Sequence, residues 1–413
     1  MQAFDPRPVR TAAFQALVFL AGPGSFEGAQ LLAARAGVAP VLPLVPASTH
    51  AFLQLLGGFL TLIFAFLAHG TPHLFGLDLE RTARARWAIR GVGLLLALEL
   101  VGELTELRAL VLGARALLVV DTAAFLLLLR AARLPRPHDH WRAPVPILVL
   151  ALCLVPCGAA LWVWEALGGP SGLGADLLLY GVVVPIILSM AFQMFGSLLQ
   201  LPAPSDATFF VALVAWLGGA ALRVLGRALP EAAGLHAPLL VVGAVLWLVA
   251  MRGLRRRRDG PVLATPPSPD LATSAVVAVL ALVVGGALGA WPRLGGPPLA
   301  DDLARHVIAL GFALVVTMAV TLRVLPRFCR GRPSSVALAL LTLGAVVGAL
   351  GLRAGEVVDG GAHALAASAL ISWLAVLLWA AHLGRGLLPS RSGLRDDAVH
   401  TIGEDRPGAG ALG

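Results

Sequence analysis

Runs of about twenty apolar residues follow one another along almost the whole chain, joined by short polar segments, and this pattern limits the fold more than any motif does. A hydrocarbon layer about 30 Å thick is crossed by roughly 20 apolar residues of α-helix. The composition agrees: of 413 residues, 58% are hydrophobic and 13% charged, with a mean hydropathy of +0.86. That balance belongs to a membrane protein and leaves no room for a sizeable soluble domain. The expected fold is all-α, a polytopic integral membrane protein with the lipid bilayer as its principal partner.

Twelve spans are expected, near 11–32, 50–70, 87–105, 107–130, 144–166, 176–200, 207–228, 233–251, 271–291, 303–325, 334–353 and 361–383. The first is interrupted by GPGSFEG at 22–28 and reads as a retained, distorted helix, although Arg7 and Arg10 ahead of it would also suit a signal sequence. The net charge is +8 without a lysine, and the arginines sit in the joints, which points to membrane topology rather than to nucleic acid. With both termini cytoplasmic, 22 of the 31 arginines fall on the inner side. The chain is therefore expected to form one transmembrane domain over 1–388, followed by a disordered cytoplasmic tail over 389–413. Three cysteines are too few for a disulfide framework, and Cys153 and Cys157 read as small core residues.

This topology sorts the histidines by side. His50, His306 and His363 open the second, tenth and twelfth spans at the outer face. His69, His73 and His382 lie at the cytoplasmic face, since 19 residues of helix separate His50 from His69 by about 29 Å. The second, sixth and tenth spans also look alike: GGF at 57–59, a glycine at 181 and LGF at 310–312 recur within them, with Pro72, Pro202 and Pro326 at the exits. Three four-helix units in a pseudo-threefold arrangement would place these spans around a common centre.

Two imidazoles on facing helices suit the axial positions of a haem iron. On the second span, His50, Gln54, Gly57 or Gly58, Thr61 and Ala65 form a stripe of polar and small residues ending at His69. Gly57, Gly58 and Gly311 would let a flat ligand approach the backbone closely. Arg305 and Arg293 are candidates to hold its propionates. His363 is a candidate ligand for a further metal, and His69 with His73 and His382 for a copper or zinc site, although Pro72 interrupts that spacing. Glu99, Glu103 and Asp121 are acids inside spans, fitting either a proton path or pairing with Arg115 or Arg108. Arg323 would reach the cytoplasmic interface or one of these acids.

RHVIALGFALVVTMAVTLRVLPRFCRGR at 305–332 closely resembles the most characteristic segment of the NnrS family, where a His, a Gly-Phe pair and an Arg-Val-Leu-Pro stretch recur in this order. ISWLAVLLWAAHLGR at 371–385 resembles that family's last span, and HAFLQLLGGF at 50–59 its second. The resemblance implies a bacterial inner-membrane protein that binds haem and copper and is linked to nitric oxide and nitrosative stress. The broader similarity is to the catalytic subunit of haem–copper oxidases, whose low-spin haem is held by histidines on the second and tenth spans, matching His50 and His306. Departures limit the parallel. Between 141 and 305 only His236 is available, so a binuclear oxygen- or nitric-oxide-reducing centre is not expected. Ser48 also stands where many NnrS proteins carry a second histidine.

The functional expectation is thus an NnrS-like membrane protein with a b-type haem between His50 and His306, copper as a further candidate, and nitric oxide as gas ligand. A secondary transporter is the alternative, with a mid-membrane cavity lined by Glu99, Asp121 and Gln193. A sensor or assembly factor without turnover is the third.

Overall fold

The computed structural model describes residues 7–64, 79–130, 144–199, 204–229, 234–252, 268–297, 299–329, 334–359 and 361–388, with 201 and 332 besides. The tail from 389 and the histidines at 69 and 73 lie outside the described residues, as do Pro72 and Pro202. The described residues form twelve helices and no strand. They are α1 (7–35), α2 (47–64), α3 (Leu79–Leu104), α4 (Arg108–Arg130), α5 (Pro144–Ala166), α6 (173–198), α7 (Asp206–Ala228), α8 (His236–Ala250), α9 (Pro269–Leu288), α10 (299–328), α11 (Val336–Asp359) and α12 (Ala362–Leu387). Ten of these are long and apolar enough to cross a membrane; α8 is shorter, at 15 residues, and α3 carries arginines in its first turns.

Sequence neighbours pack as hairpins, α3 on α4, α7 on α8 and α11 on α12, and α12 returns against the second half of α1. Outward faces carry aliphatic residues at helical spacing, such as Val276, Leu280 and Val284 on α9 or Leu117, Val120 and Leu127 on α4. An exposed apolar belt of this kind is the surface that lipid covers. Inside, Trp162, Trp216, Trp247 and Trp379 are fully buried, and Phe52 stacks on Trp162 with ring centroids 3.7 Å apart.

Three helices stand apart. The apolar stretches of α6, α10 and α2 are 89%, 78% and 72% buried, against 56% or less in each of the other candidate spans. α6 meets both α2 and α10. Each of the three carries a π-helical segment at a matching place: Leu53–Leu60, Leu177–Val183 and Val307–Leu314. The glycines that suggested a repeat, Gly57 and Gly58, Gly181 and Gly311, lie within those segments. A π turn widens the helix by closing i to i+5 hydrogen bonds and displaces carbonyls from their α-helical partners. Nearby groups take up the displaced oxygens: the Thr61 hydroxyl donates to the Leu56 carbonyl at 2.8 Å, and the Trp216 indole donates to the Tyr180 carbonyl at 2.9 Å. The expected alikeness of the second, sixth and tenth spans thus has a backbone counterpart.

Candidate cofactor site

The interruption GPGSFEG in α1 is where the site begins. Leu20–Gly24 form a π segment with Pro23 inside it, and Gly22 departs from helical geometry at φ −84°, ψ −117°. Pro23 has no N–H to continue the ladder, and the helix changes course there. Two glycines, Gly24 at its end and Gly28 beyond it, let α2 approach closely, and Gly28 admits His50. A Cβ on Gly28 would lie 2.3 Å from Cε1 of His50, and a Cβ on Gly24 would meet the Phe19 carbonyl at 2.5 Å and Gln54 at 3.0 Å. The imidazole therefore rests flush against the α1 backbone.

His50 Nδ1 lies 2.6 Å from the Gly24 carbonyl. A carbonyl only accepts, so Nδ1 carries the hydrogen and Nε2 keeps the lone pair. His306, the residue preceding the π segment of α10, repeats the arrangement with Nδ1 2.8 Å from the Asp302 carbonyl. Both rings line one cavity of about 420 Å³, which α12 closes with Trp373 and Val376. Such a volume falls in the range of small-molecule and cofactor sites. Trp373 is held by its indole, which donates to the Ala21 carbonyl at 3.1 Å, and by edge contact with Phe26.

Charge gathers at the same end of the bundle. Asp176, fully buried before the π segment of α6, pairs with Arg223 at 3.3 Å, Arg227 at 3.0 Å and Arg305 at 2.8 Å. Asp301 accepts from Arg223 and Arg227 at 2.8 Å each, with Arg305 at 3.4 Å. Asp302 pairs with Arg35 at 3.1 Å and with Arg353. The network holds five guanidinium groups, which stay charged at any relevant pH, against three carboxylates. Among the described residues it is short of two negative charges. Arg35, Arg227, Arg305 and Arg353 reach the cavity wall, so the surplus faces the space that the two histidines flank.

No family model matches the chain, and no curated protein does. The residues themselves carry the chemistry. Two imidazoles with free Nε2 lone pairs and a wall short of two negative charges fit a ligand that combines a metal centre with two carboxylates. Among the described residues no group of three or more His, Cys, Asp or Glu is arranged to hold a bare metal ion.

Of the residues singled out in the sequence, His50, His306 and Arg305 come together at the cavity. The glycines do not. Gly57 packs on Phe19 and Gly58 on Leu20, where added Cβ atoms would meet those side chains at 2.7 and 2.2 Å; Gly311 seats against Ala281 and Leu350. The reason is the π segment: from Leu53 onward α2 turns by more residues per turn than the 3.6 assumed for the stripe, so Gly57 and Gly58 rotate toward α1. Arg293 sits in the 3₁₀ turn Trp291–Leu294, near Gly234 and away from the cavity lining. His363 is exposed in the first turn of α12. His382 is buried and accepts the Ser335 N–H at 2.8 Å, an anchor just ahead of α11; the other two histidines of that candidate site lie outside the described residues.

The intramembrane acids are also placed. Glu99 and Glu103 pair with Arg115 at 3.0 and 2.8 Å, the hairpin pairing being the arrangement found. Neither Glu99 nor Asp121 lines the cavity. Arg323 meets Asp270 on α9, at 2.5 Å, and Ser268. Cys153 and Cys157 are exposed on α5, correcting their reading as core residues: at i and i+4 they share its outward face. Sequence reasoning missed Gly24, Gly28, Asp176, Asp302 and Arg353. Asp176 had a signal, since it precedes its π segment as His306 does; the pairing of Asp302 with Arg353 had none.

Proposed function

We propose that the chain is a haem-binding, polytopic membrane protein of the NnrS kind, seated in the bacterial inner membrane with both termini cytoplasmic, and acting in the response to nitric oxide. His50 and His306 would hold a b-type haem, with Arg35, Arg227, Arg305 and Arg353 the residues toward its propionates. The observation that carries this reading is the pair of histidines on two of the three central helices, facing one cavity, each with Nδ1 committed to a backbone carbonyl. Hydrogen bonding at the far ring nitrogen orients a metal-ligating histidine and raises its basicity. A surplus of two positive charges beside them matches the two propionates.

Bound haem would supply a redox-active iron able to take a diatomic gas. The chain's own part is to present two neutral imidazoles in fixed orientation, to balance the carboxylates, and to exclude lipid through Trp373 and the apolar walls. Copper has support from the family resemblance alone.

The test is the reduced-minus-oxidised visible spectrum of purified protein, with and without nitric oxide, for the parent chain and for His50→Ala and His306→Ala. A low-spin band in the parent that is lost in each variant is the expected result. Equal haem content in all three would overturn the assignment.

A further inference from the structure

Behind His50, at the residue preceding it on α2, lies a second buried polar cluster that the haem reading does not use. Thr49 is fully buried. Its hydroxyl lies 3.1 Å from Glu99 Oε1 and 3.3 Å from Glu103 Oε1, both from α3. One guanidinium nitrogen of Arg115 on α4 reaches the same two oxygens, at 3.0 and 2.8 Å, and also donates to the Thr49 hydroxyl at 3.2 Å. Arg115 is pinned over the Trp162 ring of α5, 4.4 Å from its centroid. Glu165 on α5 is a further acid beside this group, and its Oε1 accepts the Gly174 N–H at 2.8 Å.

Two carboxylates are therefore gathered on one cation. Hydrogen-bond counting makes the deficit concrete. The Thr49 hydroxyl has a single hydrogen and two carboxylate oxygens within reach, and Glu99 Oε2, wholly buried, has no partner. A carboxylate oxygen left without a donor in a membrane interior is costly. Adding one proton brings the Glu99–Glu103–Arg115 group to neutrality, and the remaining carboxylate keeps Arg115 paired.

We propose that Glu99 and Glu103 share one exchangeable proton, making this cluster a proton-binding site at the back of the histidine cavity. The reaction is the addition of H⁺ to one carboxylate oxygen and its loss from the same oxygen, with no other bond changed. Glu103, partly exposed where Glu99 is fully buried, is the entry point. Thr49 and His50 are consecutive on α2, so one helix carries both the cluster and the cavity histidine. The proposal does not require that the cavity hold a haem.

Infrared spectroscopy of the full chain in detergent, without added cofactor, tests it. The expected signal at neutral pH is a protonated carboxylic C=O stretch that moves on exchange into D₂O and on ¹³C-glutamate labelling, and that disappears in both Glu99→Gln and Glu103→Gln. Either amide leaves one carboxylate facing one guanidinium, so the need for a proton goes with it. A band that survives Glu103→Gln would overturn sharing, and one indifferent to D₂O would overturn exchange. No labelled band in the parent chain would mean that both acids are ionised, which also overturns the proposal. Should Glu99→Gln fail to fold, the labelled parent and Glu103→Gln still decide the matter.

Discussion

Gly28→Ala is the sharpest probe of the site, because it removes nothing from the histidine it disturbs. The new Cβ would stand 2.3 Å from His50 Cε1 and 2.9 Å from both ring nitrogens. Carbon atoms pack at about 3.5–4.0 Å, so the ring has to retreat by about 1 Å or more. The 2.6 Å bond from Nδ1 to the Gly24 carbonyl cannot survive that movement. Losing such an orienting partner typically lowers metal affinity about 10–100-fold, and the expected haem occupancy falls accordingly. Gly113→Ala is the control: it lies within helix α4, outside the cavity lining, and nothing would meet its Cβ within 4 Å. Haem-to-protein ratio by pyridine haemochrome, normalised to the monodisperse fraction in gel filtration, is the assay. Equal haem in Gly28→Ala and the parent would refute the argument that the glycine exists to seat His50; equal loss in Gly113→Ala would refute the packing explanation.

Other outcomes follow from the same geometry. His363→Ala, at an exposed position, should leave haem content unchanged, as measured by the same assay. Arg115→Met should destabilise the bundle by about 3–5 kcal/mol in detergent unfolding, since it strips a fully buried Glu99 of its cation. Gly311→Ala, whose Cβ would press on Ala281 at 2.7 Å, should cost about 1–3 kcal/mol by overpacking in that unfolding assay while leaving the haem spectrum in place. Arg353→Gln should weaken binding of a dicarboxylate porphyrin more than of its dimethyl ester, read by titration of purified apoprotein.

The helices were legible in the sequence because lipid imposes one length and one chemistry on them: the run expected at 144–166 is α5 as found, and that at 207–228 differs from α7 by one residue. His50 and His306 were legible because they open two spans of a repeat. What escaped was whatever depends on phase or on distant pairing. The glycines at 57 and 58 were projected onto the histidine face by a 100° rule that fails inside a π segment. Gly24 and Gly28 read as a distortion of a helix, since the side chains that fill the space beside them, Gln54 and His50, come from another helix. Asp302 and Arg353 lie 51 residues apart, and no local pattern announces that they meet.

The π segments also make the central helices unusually tolerant of one kind of change and intolerant of another. Each absorbs an extra residue in its wide turn, so deleting a single residue there would restore an ordinary α-helix and leave the residues on either side in nearly the phase they already hold. A deletion in α10 between 307 and 314 would keep His306 turned toward the cavity, whereas the same deletion from an α-helical stretch would turn one side against the other by about 100°. Chains of this architecture can thus gain or lose a residue within these segments while the cavity between the helices keeps its lining.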